Sequence, residues 1–277
     1  MRLGGPVFET VTDPETWVRA VKNLGYTAAY CPVDEKQTAS VIRDYAAAAG
    51  KAGIVIAEVG VWNNPLSQNE TARREAIKLC QTRLSLADAI GARCCVNIAG
   101  SRGEKWDGPS FGDLTGDAFD LIVESIQKII DAVKPKQTCY TLETMPWMYP
   151  DSIESYLELI DAIDRKQFAV HFDPVNLISS PQRYFNNDLL IAEFVDKLGP
   201  HIKSCHAKDV LLQEKFTVHL DEVAPGKGKL NYAVLLKKLN ELDDVPVMLE
   251  HLAAAEEYAA AADYVRSVAR NNGLSLG

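Results

Sequence analysis

No apolar run in the sequence approaches the roughly 18 residues that a membrane-crossing helix needs, so no membrane-crossing helix is expected. Met1-Arg2 leads only into a short strand-like run, without an extended apolar core of the secretory kind, and a cytoplasmic location is expected. Basic charge is also in deficit: 29 Lys and Arg stand against 38 Asp and Glu, a net charge of −9. That balance argues against general affinity for nucleic acid, whose backbone attracts clustered Lys and Arg. It leaves room for small anions, because a local basic pocket can sit in an acidic protein. Histidine is scarce, at five residues, and the six cysteines (31, 80, 94, 95, 139 and 205) nowhere form a CxxC pair. Five of them lie in or beside strand-like runs, as expected of buried reduced thiols. No strand is followed by G-x-G-x-x-G, which removes the main signature of a dinucleotide-binding sheet.

What the chain does have is apolar material for a sizeable core, 47% of its 277 residues, and a regular alternation. Eight β-rich runs are visible: "LGGPVF" (3–8), "TAAYCPV" (27–33), "GIVIAEVGV" (53–61), "ARCCVNIAG" (92–100), "TCYTLET" (138–144), "FAVHFD" (168–173), "IKSCHA" (202–207) and "VPVMLEHL" (245–252). Between them lie stretches of helical period. Asp13-Pro14-Glu15 announces the first, and others are expected over about 36–49, up to Gly91, over 116–133, from Asp151, and near 187–198 and 230–241. An Ala-rich helix ends near Arg270. Strands joined by crossover helices pair in parallel and are buried on both faces. Eight such units predict an α/β fold, a (β/α)8 TIM barrel forming a single domain over 1–277, in preference to an open doubly wound sheet.

In such a barrel the chemistry sits at the C-terminal ends of the strands. Read in order, the last four strands end on Glu143, Asp173, His206 and Glu250. Each alone has an ordinary reading: a strand-end carboxylate paired with Lys or Arg, an Asx turn before Pro174, a satisfied core histidine. Together, on four successive strands one βα unit apart, they predict a convergent O3N ligand set. Such a set suits one divalent ion, Mn2+, Mg2+ or Co2+, with Zn2+ also accommodated, and leaves positions open for substrate oxygens. His171 and His251 adjoin proposed ligands, and strand alternation is expected to aim both away from the lumen.

The pattern resembles the xylose isomerase-like TIM-barrel superfamily, in its sugar isomerase/epimerase branch, over nearly the whole chain. The resemblance is carried by "TLETMPW", "HFDPVNL", "CHAKD", "APGKGKLNY" and "MLEHL". It implies that Glu143, Asp173, His206 and Glu250 bind one catalytic cation. By likeness to the ketose 3-epimerases, Glu143 and Glu250 would also exchange a substrate proton from opposite faces. The implied activity is sugar or polyol isomerisation or epimerisation through an enediolate, or a related dehydration of an inosose or keto-sugar, with a homodimer or homotetramer as the expected assembly. Two departures stand out: Asn176 occupies the place of an epimerase histidine, and Lys208 follows His206 where those members carry an arginine shortly after.

Around this set, Asn176, Lys208, Glu58, Trp62 and Trp106 are candidate substrate contacts, with Trp147 as a further loop aromatic. Lys208 equally suits a salt bridge to Asp209, Glu58 a structural pairing, and Arg102 a solvated position in place of an anion contact. "PGKGK" (225–229) lacks the G-x-x-x-x-G-K-[ST] spacing and follows a polar hairpin-like segment, so a turn before a helix started by Asn231 is expected. Two rival functions differ in class. An apurinic-site endonuclease on the same fold calls for a basic groove and a histidine-rich zinc cluster, which an isoelectric point near 5.1 and five histidines disfavour. A non-catalytic sugar-binding barrel, or a subunit needing a partner protein, would be marked by a broken ligand set.

Overall fold

The computed structural model describes residues 1–277. Eight parallel strands close into a barrel: β1 (Arg2–Gly5), β2 (Ala28–Tyr30), β3 (Val55–Gly60), β4 (Cys94–Asn97), β5 (Cys139–Glu143), β6 (Phe168–Phe172), β7 (Ile202–Ala207) and, after two extra strands, β10 (Pro246–Leu249). The order around the barrel is β1-β10-β7-β6-β5-β4-β3-β2, every pair parallel. All eight expected strands are present, and one contiguous core of 60 buried residues holds them together, so the chain is a single-domain TIM barrel. All six cysteines are unpaired thiols, and four are buried. No helix is long and apolar enough to cross a membrane.

The helices pack around the outside: α1 (Pro14–Asn23), α2 (Ala39–Ala52), α3 (Glu70–Ile90), α4 (Gly116–Val133), α5 (Ile153–Ile163), α6 (Pro181–Phe185), α7 (Asn187–Leu198), α8 (Tyr232–Asn240) and α9 (Ala255–Asn271). Capping fixes the boundaries. Asp13 forms a capping box with Thr16, and Gly91 ends α3 in the left-handed conformation at φ 74°. Two starts differ from expectation. The second helix begins after Thr38, whose hydroxyl accepts from the Val41 amide, instead of near Lys36. The fifth is capped by Ser152 in place of Asp151, because the Ser152 hydroxyl takes the Ser155 amide while Asp151 accepts from the Ser155 hydroxyl.

One contact from the helical layer fixes the strands that matter for the site. Tyr156 of α5 reaches inward, and its hydroxyl lies between the carbonyls of Leu142 on β5 and Ala169 on β6 while accepting from the His171 amide. It thus clamps the two strands that deliver Glu143 and Asp173.

The two extra strands, β8 (Asp209–Leu212) and β9 (Leu220–Val223), form an antiparallel hairpin beyond β7. This is the hairpin-like segment read from the sequence. Lys208 does not pair with the neighbouring Asp209, which turns instead into the Gly-rich loop that follows. Its Oδ1 accepts the amides of Val210 and Leu230, both at 2.8 Å, and its Oδ2 those of Gly226 at 2.9 Å and Gly228 at 3.1 Å. The loop's amides therefore already hold an anion supplied by the chain itself, the physical reason it is a turn and no phosphate cradle. Gly228 is required here: a Cβ would lie 2.3 Å from Asp209 Oδ1. Asn231 then caps α8, as expected.

Two outcomes follow. Tyr156→Phe removes the acceptor of a buried amide and the donor to a buried carbonyl, and is expected to cost about 1–3 kcal/mol in denaturant unfolding. Asp209→Ala strands four amides, and hydrogen exchange over residues 226–230 is expected to accelerate while the barrel strands keep their protection.

Candidate functional site

Glu143 is the last residue of β5, His206 lies one residue before the end of β7, and Asp173 and Glu250 directly follow β6 and β10. Closure of the barrel brings one ligand-competent atom from each of the four within 4.8 Å of the others. His206 Nδ1 is 2.8 Å from Glu250 Oε1, 3.3 Å from Glu143 Oε1 and 3.8 Å from Asp173 Oδ2.

Three of the four side chains are held from behind. Asp173 Oδ1 accepts the amides of Val175 and Asn176 at 2.9 and 3.2 Å, an Asx turn that leaves Oδ2 facing the cluster. The turn reading and the cluster reading of Asp173 are thus both satisfied, one by each oxygen. Asn176 donates through Nδ2 to Glu143 Oε1 at 2.9 Å, so it braces a cluster residue directly. His206 Nε2 lies 3.3 Å from Glu58 Oε2, which turns the opposite ring nitrogen toward the carboxylates.

Asp173 Oδ2, His206 Nδ1 and Glu250 Oε1 are buried and make no hydrogen bond of acceptable geometry, although ion-pair partners surround them. Unpartnered buried polar atoms are costly in an interior. Three of them facing one point, with Glu143 Oε1 beside them, fit a divalent cation bound by three oxygens and one nitrogen.

The electrostatics are those of crowded acids around few cations. Burial pushes Glu250 up, but His206 and Lys208 outweigh it and draw the carboxyl down to about 2. Burial likewise opposes ionisation of Asp173, yet Lys208 and His206 hold it far below the usual carboxylate range. For Glu143 burial wins over His206 and Lys208, and its carboxyl sits above that range. Burial works against a charged His206, but Glu250, Glu143 and Glu58 raise it well above an ordinary imidazole.

Lys208 is 2% exposed and shares the lumen face with His206, as two-residue alternation dictates. Its Nζ is 2.7 Å from Glu250 Oε1, 2.8 Å from Asp173 Oδ2 and 3.5 Å from both Glu143 Oε1 and Glu222 Oε2.

The orientation of His171 is corrected, and the readings of Glu58 and Arg102 narrow to one of their alternatives. Glu58 does not reach the mouth; it is 1% exposed, two residues below the end of β3, and is taken up by His171, Ser204 and His206. Its two oxygens face His171, Ser204 and His206 inside the barrel. His171 points into the barrel, its ring 4.1 Å from that of His206. It lies two residues from Asp173, so alternation places both on one face; that spacing was the available signal. Arg102 is not a free surface cation, because its guanidinium donates to the Leu66 carbonyl at 2.9 Å and its amide to Asp113. His251 lies outside the lumen as expected, 58% exposed, with Nδ1 3.0 Å from Glu222 Oε1.

Of the aromatics, Trp62 stands over the cluster with its ring 6.4 Å from that of His206. Trp147 donates to the Asp107 carbonyl and ties two loops together. Trp106 lies in the loop after β4, where its carbonyl accepts from the Ser101 amide, and no hydrogen bond or ring contact joins it to the cluster. Glu222 was missed by sequence reasoning: the hairpin register that carries it to Lys208 is a long-range property.

Comparison with known proteins agrees with this architecture. No curated protein matches the sequence. Among solved structures, the probable 3-DHS dehydratase AsbF of Bacillus anthracis superposes with a TM-score of 0.71 at 14% identity, covering 97% of this chain and 98% of that one. D-Psicose 3-epimerase from Clostridium cellulolyticum H10, solved with D-tagatose, gives 0.68 at 14% identity over 97% and 99%. A xylose isomerase-like TIM-barrel protein of Mycobacterium smegmatis in complex with magnesium gives 0.65 at 14% identity over 94% and 89%. At such identities these likenesses show the fold. The sequence itself matches the family described as xylose isomerase-like TIM barrel over residues 18–268, and with strand ends and barrel order already in agreement, the chain belongs to that family.

Proposed function

We propose that the chain is a divalent-metal-dependent isomerase or epimerase of a sugar or polyol, with Glu143, Asp173, His206 and Glu250 as metal ligands and Glu143 and Glu250 as the proton-exchanging pair. The observation that carries this reading is the convergence of Asp173 Oδ2, His206 Nδ1 and Glu250 Oε1, none with a hydrogen bond of acceptable geometry, beside Glu143 at the barrel mouth. The epimerase and magnesium-bound structures of the same fold support it.

When bound, a divalent cation supplies the positive charge that steadies an oxyanion developing at a substrate carbonyl. The chain's residues supply the rest. Glu143 and Glu250 arrive from β5 and β10, strands separated by β6 and β7 around the barrel, so they approach a bound sugar from different sides. One carboxylate accepts the proton beside the carbonyl and the other returns one to the opposite face, which inverts that carbon. Return to the neighbouring carbon gives isomerisation. Asn176 fixes the Glu143 carboxylate, and Glu58 keeps His206 in one orientation. Trp62 offers an apolar wall against the sugar. Loss of a β-hydroxyl after the same proton abstraction is the dehydratase alternative, supported by the dehydratase-like neighbour. A family-type homodimer or homotetramer, a cytoplasmic location and manganese as the resident metal belong to the same proposal.

Glu143→Gln and Glu250→Gln are each expected to lower turnover about 10²–10⁴-fold. Product formed by the wild type in D2O should carry deuterium at the carbon next to the carbonyl. Turnover within tenfold of wild type in both variants would overturn the assignment. Metal uptake should also depend on pH. Coordination requires His206 Nδ1 to be free of its proton, and the surrounding carboxylates raise the affinity of that ring for protons. Mn2+ affinity is therefore expected to fall as pH drops from 8 to 6, with proton release seen by calorimetry in buffers of different ionisation enthalpy.

A further inference from the structure

Lys208 has four carboxylates around its ammonium, and three of them, Glu143, Asp173 and Glu250, are the proposed metal ligands. Its two shortest contacts are to Glu250 Oε1 and Asp173 Oδ2, two of the atoms left without a hydrogen bond. A divalent ion seated among the ligand atoms would draw on those same oxygens and stand a few ångströms from a buried ammonium. Like charges that close, away from water, repel strongly. The fourth carboxylate differs. Glu222 belongs to β9 of the hairpin, has its Oε2 3.5 Å from Lys208 Nζ, and is secured through Oε1 by His251 Nδ1 at 3.0 Å. It is the one acid beside Lys208 outside the ligand set.

Resting on the metal reading above, we propose that Lys208 and Glu222 are a coupled pair of positioning residues that set the strength of metal binding. Lys208 competes with the divalent ion for Asp173 Oδ2 and Glu250 Oε1. Glu222 draws the ammonium away from those oxygens, toward the hairpin, and so favours the ion. The hairpin, which contributes no ligand, thereby acts on the metal seat through one charge.

The pair makes predictions of opposite sign, which simple damage to the fold would not produce. In calorimetric titrations of the metal-stripped full chain with Mn2+, Lys208→Met is expected to tighten binding about tenfold or more. Lys208→Arg keeps the charge and should show no such gain. Glu222→Gln is expected to weaken binding about threefold or more, and to have no effect in the Lys208→Met background, because its influence passes through the ammonium. Unchanged or weaker binding by Lys208→Met would overturn the proposal, as would a Glu222→Gln penalty that persists in full when Lys208 is gone, the mark of an additive field effect. If Lys208→Met fails to fold, an unweakened Glu222→Gln overturns it alone. Should neither wild type nor Lys208→Met take up Mn2+, the metal reading itself falls and takes the pair with it, an outcome distinct from equal binding by both.

Discussion

His206 lies within 4 Å of four carboxylates: Glu58 on one side of its ring, and Glu143, Asp173 and Glu250 on the other. Little else in the upper barrel can be understood without that crowding. Four acids in a dry interior repel one another, and each would surrender its charge unless cations were held among them. His206 and Lys208 provide part of that compensation. Asp173 Oδ2, His206 Nδ1 and Glu250 Oε1, which make no hydrogen bond of acceptable geometry, converge beside Glu143.

The fold holds part of this arrangement in place with neutral supports. Asp173 is pinned by two backbone amides, Glu143 by Asn176, and the strands beneath them by the Tyr156 hydroxyl. On the far side, Asp209 spends its whole carboxylate on the loop that closes the hairpin. These contacts keep repelling carboxylates at fixed positions, the preorganisation that a metal site or a proton-transfer site needs.

Much of this was legible in the sequence, for specific reasons. A parallel barrel repeats one unit eight times, so its strands are punctuated by helix caps, and its strand ends fall where the apolar runs stop. That made Glu143, Asp173, His206 and Glu250 readable as a set, and placed Lys208 beside His206. The failures are equally specific. Glu58 stands two residues short of a strand end, and an apolar run does not reveal where its strand stops pairing. His171 stands two residues before Asp173, and that spacing, more than nearness to a ligand, sets which face its ring takes. Glu222 and the Asp209 latch depend on a hairpin folding back, and no local pattern encodes which residue such a fold carries over the mouth.

In the proposed site, the four strand-end side chains together hold one divalent cation. The most direct test is a crystal structure of the gently purified protein with anomalous data collected at the absorption edge of whichever metal elemental analysis finds. About one equivalent per chain is expected, with a single anomalous peak bounded by Glu143 Oε1, Asp173 Oδ2, His206 Nδ1 and Glu250 Oε1. A protein that carries no metal, acquires none on soaking, and retains Lys208 against Asp173 and Glu250 would contradict it.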